Sequence, residues 1–269
     1  MYKHLTYILL LLLLPQFLAT ESYARNDKKD KRKIEIPHTP EPDPYIEIHR
    51  DRKLAESPVA KHGRRIIHAH REGIDVSHYQ QSINWANVAK TNTIGYAFVK
   101  ATESNYYIDD YYEENMAEGK KNGIYMGSYH FFRANVNMKE QFEHMISVID
   151  PKKQDLLPII DVEAANGVPV ATFVQRLKEF LRMVEKHYGR PPILYTYVNF
   201  YEKYLVDRGF DHYPLMIAYY NDDTPYLSDG REYIMWQYTC RGRINGIKGD
   251  VDRSRFVENF NINDILYQR

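Results

Sequence analysis

Leu157-Pro158-Ile159-Ile160-Asp161-Val162-Glu163 is an apolar run that ends in two acids, and the clearest helical pattern in the chain follows it. Side chains alternate along a strand, so Asp161 and Glu163 project to one side while Ile160 and Val162 face the other. Downstream, Val170, Phe173, Val174, Leu177, Phe180, Leu181 and Val184 recur at steps of three and four as one apolar stripe. Pro169 opens that helix, and Gly189 with Pro191 closes it. A second apolar run then spans 193–197. Strand, helix and strand in this order form a crossover unit whose strands pair in parallel.

The same texture extends outward in both directions. Residues 74–77, 96–101 and 125–131 read as buried strands. Helical patterns lie over 83–90, over 110–121 with the stop signal Asn122-Gly123, and over 137–149. The last opens on Asn137 as a cap, with Glu140 at capping-box spacing. A short helix over 200–206 follows the fifth strand, and 215–219, 233–238 and 251–256 read as three more strands with no helix between them. Five strand–helix units followed by three strands predict an α/β fold, a TIM-like (β/α)5β3 barrel, because eight strands close a barrel filled by its own side chains. An open doubly wound sheet is the competitor, but no GxGxxG or P-loop pattern supports it.

Composition bounds what such a barrel does. At 269 residues with 43% hydrophobic and 27% charged, the chain can bury a sizeable core. Lys+Arg and Asp+Glu both total 36, so no global charge recruits nucleic acid or a membrane surface. The 24 tyrosines suit either a core or the stacking of sugar rings.

Residues 1–24 read as a secretory signal: Lys3 supplies the positive start, an apolar run follows, and Ser22-Tyr23-Ala24 offers the cleavage site. That run is too short to span a bilayer permanently. Export to the periplasm or the exterior is expected. Cys240, the single cysteine, has no internal partner, and a small buried apolar role is expected for it. Residues 25–71 are charged and proline-bearing and read as a solvated tether, leaving 72–269 as the barrel domain.

Active sites of these barrels lie at the C-terminal ends of the strands. Strand one leads into Asp75, strand two into Glu103, strand four into Asp161 and Glu163, and strand eight carries Asp252. Two carboxyls held side by side repel as anions, so one keeps its proton near neutral pH. A protonated acid beside a charged one is what glycosidic cleavage requires. No HxH or HExxH suggests a metal, no GxSxG elbow suggests acyl transfer, and His130 reads as a hydrogen-bonded core residue.

These segments resemble glycoside hydrolase family 25, the N-acetylmuramidase lysozymes. The resemblance runs from Gly73-Ile74-Asp75-Val76-Ser77-His78-Tyr79-Gln80 through Phe98-Val99-Lys100-Ala101-Thr102-Glu103, Gly127-Ser128-Tyr129-His130-Phe131 and Asp161-Val162-Glu163 to Trp236-Gln237-Tyr238 and Val251-Asp252. It implies hydrolysis of the β-1,4 bond between N-acetylmuramic acid and N-acetylglucosamine in peptidoglycan. By this likeness Glu163 is the general acid/base, Asp161 stabilises positive charge or orients the acetamido group, and Asp75 and Asp252 are supporting acids. Tyr129, Tyr195 and Tyr219 look like sugar contacts, and Gln237, Lys100 and Glu103 like further substrate-binding groups. No cofactor is implied, and a monomer acting on bacterial glycan strands is expected. A chitinase-like hydrolase and a barrel that binds glycans without cutting them stay open; the fuller DxxDxDxE pattern wanted for the former is missing.

Overall fold

Each apolar run is short and bounded by turn residues, and in the computed structural model, which describes residues 72–267, the runs become the staves of one closed sheet. Strand β1 (Glu72–Val76) is followed by β2 (Ile94–Glu103), a two-residue β3 (Tyr107–Ile108), β4 (Tyr125–Phe131), β5 (Ile159–Asp161), β6 (Ile193–Tyr197), β7 (Leu215–Ala218), β8 (Met235–Gly242) and β9 (Val251–Phe256). The order around the barrel is β1-β9-β8-β7-β6-β5-β4-β2, closed by pairing of β1 with β2, and β3 folds back against the upper part of β2. The α-helices among the described residues are α1 (Trp85–Lys90), α2 (Tyr112–Lys121), α3 (Met138–Val148), α4 (Val170–Tyr188), α5 (Val198–Tyr204) and α6 (Ile262–Ile265). The eight-stranded α/β barrel is the fold expected. The signal at 1–24 and the tether at 25–71 lie outside the described residues.

The alternation of side chains divides the core in two. Ile74, Val76, Ala97, Val99, Ile160, Val162, Leu194 and Ile217 pack with Phe173, Leu177, Phe180, Leu181 and Val184 of α4, forming the layer between barrel and helices. Tyr96, Phe98, Tyr129, Ile159, Ile193, Tyr195 and Met216 point the other way and fill the barrel. Ile160 and Val162 therefore face the helices, as their alternation with the acids requires. Val170, counted in the α4 stripe, is exposed because it begins the first turn.

Filling the barrel demands glycine where a ring crosses the wall. A Cβ on Gly73 would fall 1.9 Å from the Tyr96 ring, which is fully buried. Gly73→Ala is expected to cost about 1–3 kcal/mol through overpacking. Chemical denaturation read by circular dichroism checks this, and an unchanged midpoint would refute it.

Three details depart from expectation. β5 is shorter than the 157–163 run, since Leu157 gives its N–H to the carbonyl of Ile265 and Pro158 has none to give. Glu163 thus lies two residues beyond the strand. At α3, Asn137 caps as read, accepting from the N–H groups of Lys139 and Glu140. The Glu140 carboxylate accepts from the Asn105 side chain at 3.0 Å, so it serves the β2–β3 turn instead of a capping box. Cys240 is free but only half-buried on β8, where the small buried role was expected.

The last strand also reverses. β9 is antiparallel to both neighbours, β8 and β1. The β8–β9 connection holds no helix, and a parallel return would need a crossover of a dozen or more residues. Asp252 therefore sits at the start of its strand, yet that start lies at the rim where the parallel strands end.

Candidate active site

The register of the barrel determines which side chains meet at its mouth. Asp75 on β1 is paired with Asp252 on β9, and Asp161 on β5 is paired with Tyr195 on β6. Lys100 on β2 is opposite Tyr129 on β4, and Ala218 on β7 is opposite Gln237 on β8. Strands on opposite sides of the barrel thus deliver carboxylates, phenols and one amide to a single rim.

Gln237 organises one side of this rim. Its Oε1 accepts from the hydroxyls of Tyr195 at 2.9 Å and Tyr220 at 2.6 Å, which orients the amide. Its Nε2 consequently points to Asp75 and donates to Oδ2 at 2.7 Å. On the other side, Glu103 accepts from Lys100 Nζ at 2.7 Å and from Arg133 Nε and a terminal guanidinium nitrogen at 2.9 and 2.6 Å. The Phe131 ring has Lys100 Nζ 5.2 Å and the Arg133 guanidinium carbon 4.4 Å from its centroid. Two cations share one carboxylate, so a positive surplus stands beside the acids.

Burial dominates the electrostatics of the acids. It raises Asp161 well above the ordinary carboxylate range, and the neighbouring Glu163 raises it further while Lys100 opposes. Glu163 is pushed up to about 7 by burial and by Asp252, against the hydroxyl of Tyr195 and the charges of Lys100 and Arg133. Asp252 rises to about 7 through burial. Asp75 reaches about 8 through burial and Asp252, despite the Gln237 bond. Glu103 goes the other way: burial pushes it up, but Lys100 and Arg133 outweigh that and hold it low. Asp161 and Glu163 are close enough to titrate as a pair, so near neutral pH the pair holds a proton between them. Asp161 Oδ1 and Asp75 Oδ1 are buried and have no hydrogen-bond partner among the described residues. A buried carboxylate oxygen with no donor is costly, which marks both as places for a ligand's donor.

The acids Asp75, Asp161, Glu163 and Asp252 therefore come together, with Tyr129 and Tyr195 in their field. Glu103 is committed to its two cations and acts on the acids through Lys100. Gln237 is committed to Tyr195, Tyr220 and Asp75. Tyr219 accepts from Asn221 through its hydroxyl and from Trp236 through its carbonyl. Its neighbour Tyr220, which the sequence reading passed over, is the residue that joins the network. Arg133 was also missed, although it follows Phe131-Phe132 directly after β4. His130 is fully buried between Thr102 Oγ1 and Gln141 Oε1, and burial lowers it to about 3, so it is a neutral core residue. No cluster of three or more His, Cys, Asp or Glu side chains among the described residues is arranged to hold a metal ion. No helix among them is long and apolar enough to cross a membrane.

Comparison with known proteins agrees with this arrangement. The family described as glycosyl hydrolases family 25 matches residues 74–247. The Escherichia coli K12 protein YegX is 35% identical over 188 residues, which cover 68% of either chain. Lysozyme M1 of Streptomyces globisporus is 30% identical over 198 residues, covering 69% of this chain and 67% of its own. A solved family 25 glycosyl hydrolase from Bacillus anthracis superposes with a TM-score of 0.65 at 31% identity, covering 76% of this chain and 96% of that one. With its acids gathered at the barrel mouth and these likenesses in sequence and fold, the chain belongs to glycoside hydrolase family 25 and is a glycoside hydrolase of the lysozyme type.

Proposed function

We propose that this enzyme is an N-acetylmuramidase that cuts the β-1,4 bond from N-acetylmuramic acid to N-acetylglucosamine in peptidoglycan, with net retention. The observation that carries the reading is the pair Asp161, buried at the end of β5, and Glu163, half-buried just beyond it, both with carboxyls held above the ordinary carboxylate range. Glu163 protonates the leaving oxygen. Asp161 stays charged when substrate is bound, because its unpartnered Oδ1 then accepts from the N–H of the acetamido group. The acetamido oxygen attacks the anomeric carbon from within the substrate, and water opens the resulting ring with Glu163 acting as base. This route retains configuration without a covalent bond to the protein. Asp75 and Asp252 hold the second wall of the cleft, and Tyr129 and Tyr195 face the sugar. The polymer lies outside the cytoplasmic membrane, which fits the export signal read at 1–24. The enzyme works as a monomer.

Digestion of purified peptidoglycan tests this directly. Mass spectrometry of the fragments is expected to show muramic acid at the reducing end, and proton NMR a β-anomer as the first-formed product. N-acetylglucosamine at the reducing end would remove the muramidase reading, and an initial α-anomer would mean inversion. Faster release of soluble sugars from chitin would favour the chitinase-like alternative, and binding without any release the non-catalytic one.

A further inference from the structure

Above β1 and β2 the rim carries aromatic rings used by neither the barrel core nor the acid cluster. β2 is ten residues long and turns back as β3 through Ser104, whose φ of 57° lies in the left-handed region. Tyr107 on the return meets His78: its hydroxyl is 3.0 Å from His78 Nδ1, and the rings meet edge-on at 5.9 Å. Tyr79 lies against His78 with ring centroids 4.2 Å apart. Tyr79 is nevertheless 45% exposed.

This ledge is braced from several elements. Buried Asp109 accepts from the His78 backbone N–H at 3.0 Å and contacts its Nδ1 at 2.8 Å. His144 of α3 bonds the Tyr107 carbonyl at 2.9 Å, and the Gln80 side chain donates to the Asp250 carbonyl at 3.1 Å. Lys100 connects the ledge to the acids: its Nζ is 5.3 Å from the Tyr107 ring centroid, and its charge acts on Asp161. An exposed ring fixed in this way has little conformational freedom left to lose on binding.

We propose that Tyr79, His78 and Tyr107 form a stacking subsite for an N-acetylated hexosamine ring of the glycan strand beyond the two sugars whose bond is cut. The proposal rests on the muramidase reading above. Rings interleaved with a hydroxyl and an imidazole suit a sugar, which presents apolar C–H faces and polar edges. The occupant reaches the ledge because the strand bound across the acids continues past them.

The experiment compares kcat/KM on peptide-free glycan strands of two defined lengths, the shortest that is cut and one several disaccharides longer. In Tyr79→Ala the ratio of long to short is expected to fall about tenfold, the size of one aromatic contact. Tyr79→Phe, which keeps the ring face, should restore the ratio. An unchanged ratio in Tyr79→Ala, or equal losses on both lengths, overturns the subsite. The same strands are also titrated against Glu163→Gln with and without Tyr79→Ala. If the wild type releases no product, the muramidase reading fails by itself. The subsite then stands if Tyr79→Ala removes the preference for long strands in binding, and falls if the preference persists.

Discussion

Glu163→Gln is expected to lower kcat on peptidoglycan by about 10²–10⁴, the usual contribution of a positioned proton donor, while the fold is unchanged. The amide keeps the size and shape of the acid but has no proton to give to the leaving oxygen. In the wild type, burial and Asp252 push Glu163 up to about 7. Raising the pKa of an acid keeps it protonated to higher pH, so the donor form prevails below about 7 and is lost above it. The pH profile of kcat/KM should therefore have an alkaline limb near neutrality, and that limb should vanish from the residual activity of the variant. Turbidity loss of cell walls, followed across pH beside circular dichroism, measures both. Near-wild-type turnover, or an unchanged alkaline limb in the variant, would remove Glu163 from the central role.

Why the barrel was legible and parts of its mouth were not follows from the range of the interactions involved. The α4 stripe and the 157–163 run are local patterns, since a helix or strand next to a core must repeat its apolar residues at its own period. Strand alternation sent Asp161 inward and Ile160 outward before any partner was known. The reversal of β9 depends on how the chain returns across the barrel, which no local period records. Gln237 shows the same limit. The family resemblance pointed to it as a substrate-binding group, and no local pattern showed that its amide would bond Tyr195, Tyr220 and Asp75, which lie 42, 17 and 162 residues away. Tyr220 was missed because it follows β7 in an irregular stretch, where the two-residue period no longer says which of adjacent tyrosines turns inward. Glu103 read as a strand-end acid, yet Lys100 and Arg133 neutralise it, and Arg133 comes from beyond β4.

Asp161→Asn tests the part of the mechanism that the substrate itself performs. The variant should turn over about 10²–10³ times more slowly, the loss typical when a group aimed at developing charge is removed. Asparagine retains an oxygen that can accept from the acetamido N–H, but it carries no charge to balance the positive ring that forms. It also removes a like charge beside Glu163, so the alkaline limb should move to lower pH. A slower rate alone would not separate an acetamido route from direct stabilisation of the sugar. A cycle that crosses the variant with the substrate does. Strands de-N-acetylated on muramic acid should be cut much more slowly by the wild type. If Asp161 acts through the acetamido group, it has little left to do on those strands, and the two losses should not multiply. Wild type and Asp161→Asn should then cut de-N-acetylated strands at similar rates, although they differ widely on the N-acetylated polymer. Losses that multiply would mean that Asp161 and the acetamido group act independently. Binding to Glu163→Gln, measured with both polymers, ensures that weaker affinity is not mistaken for lost chemistry.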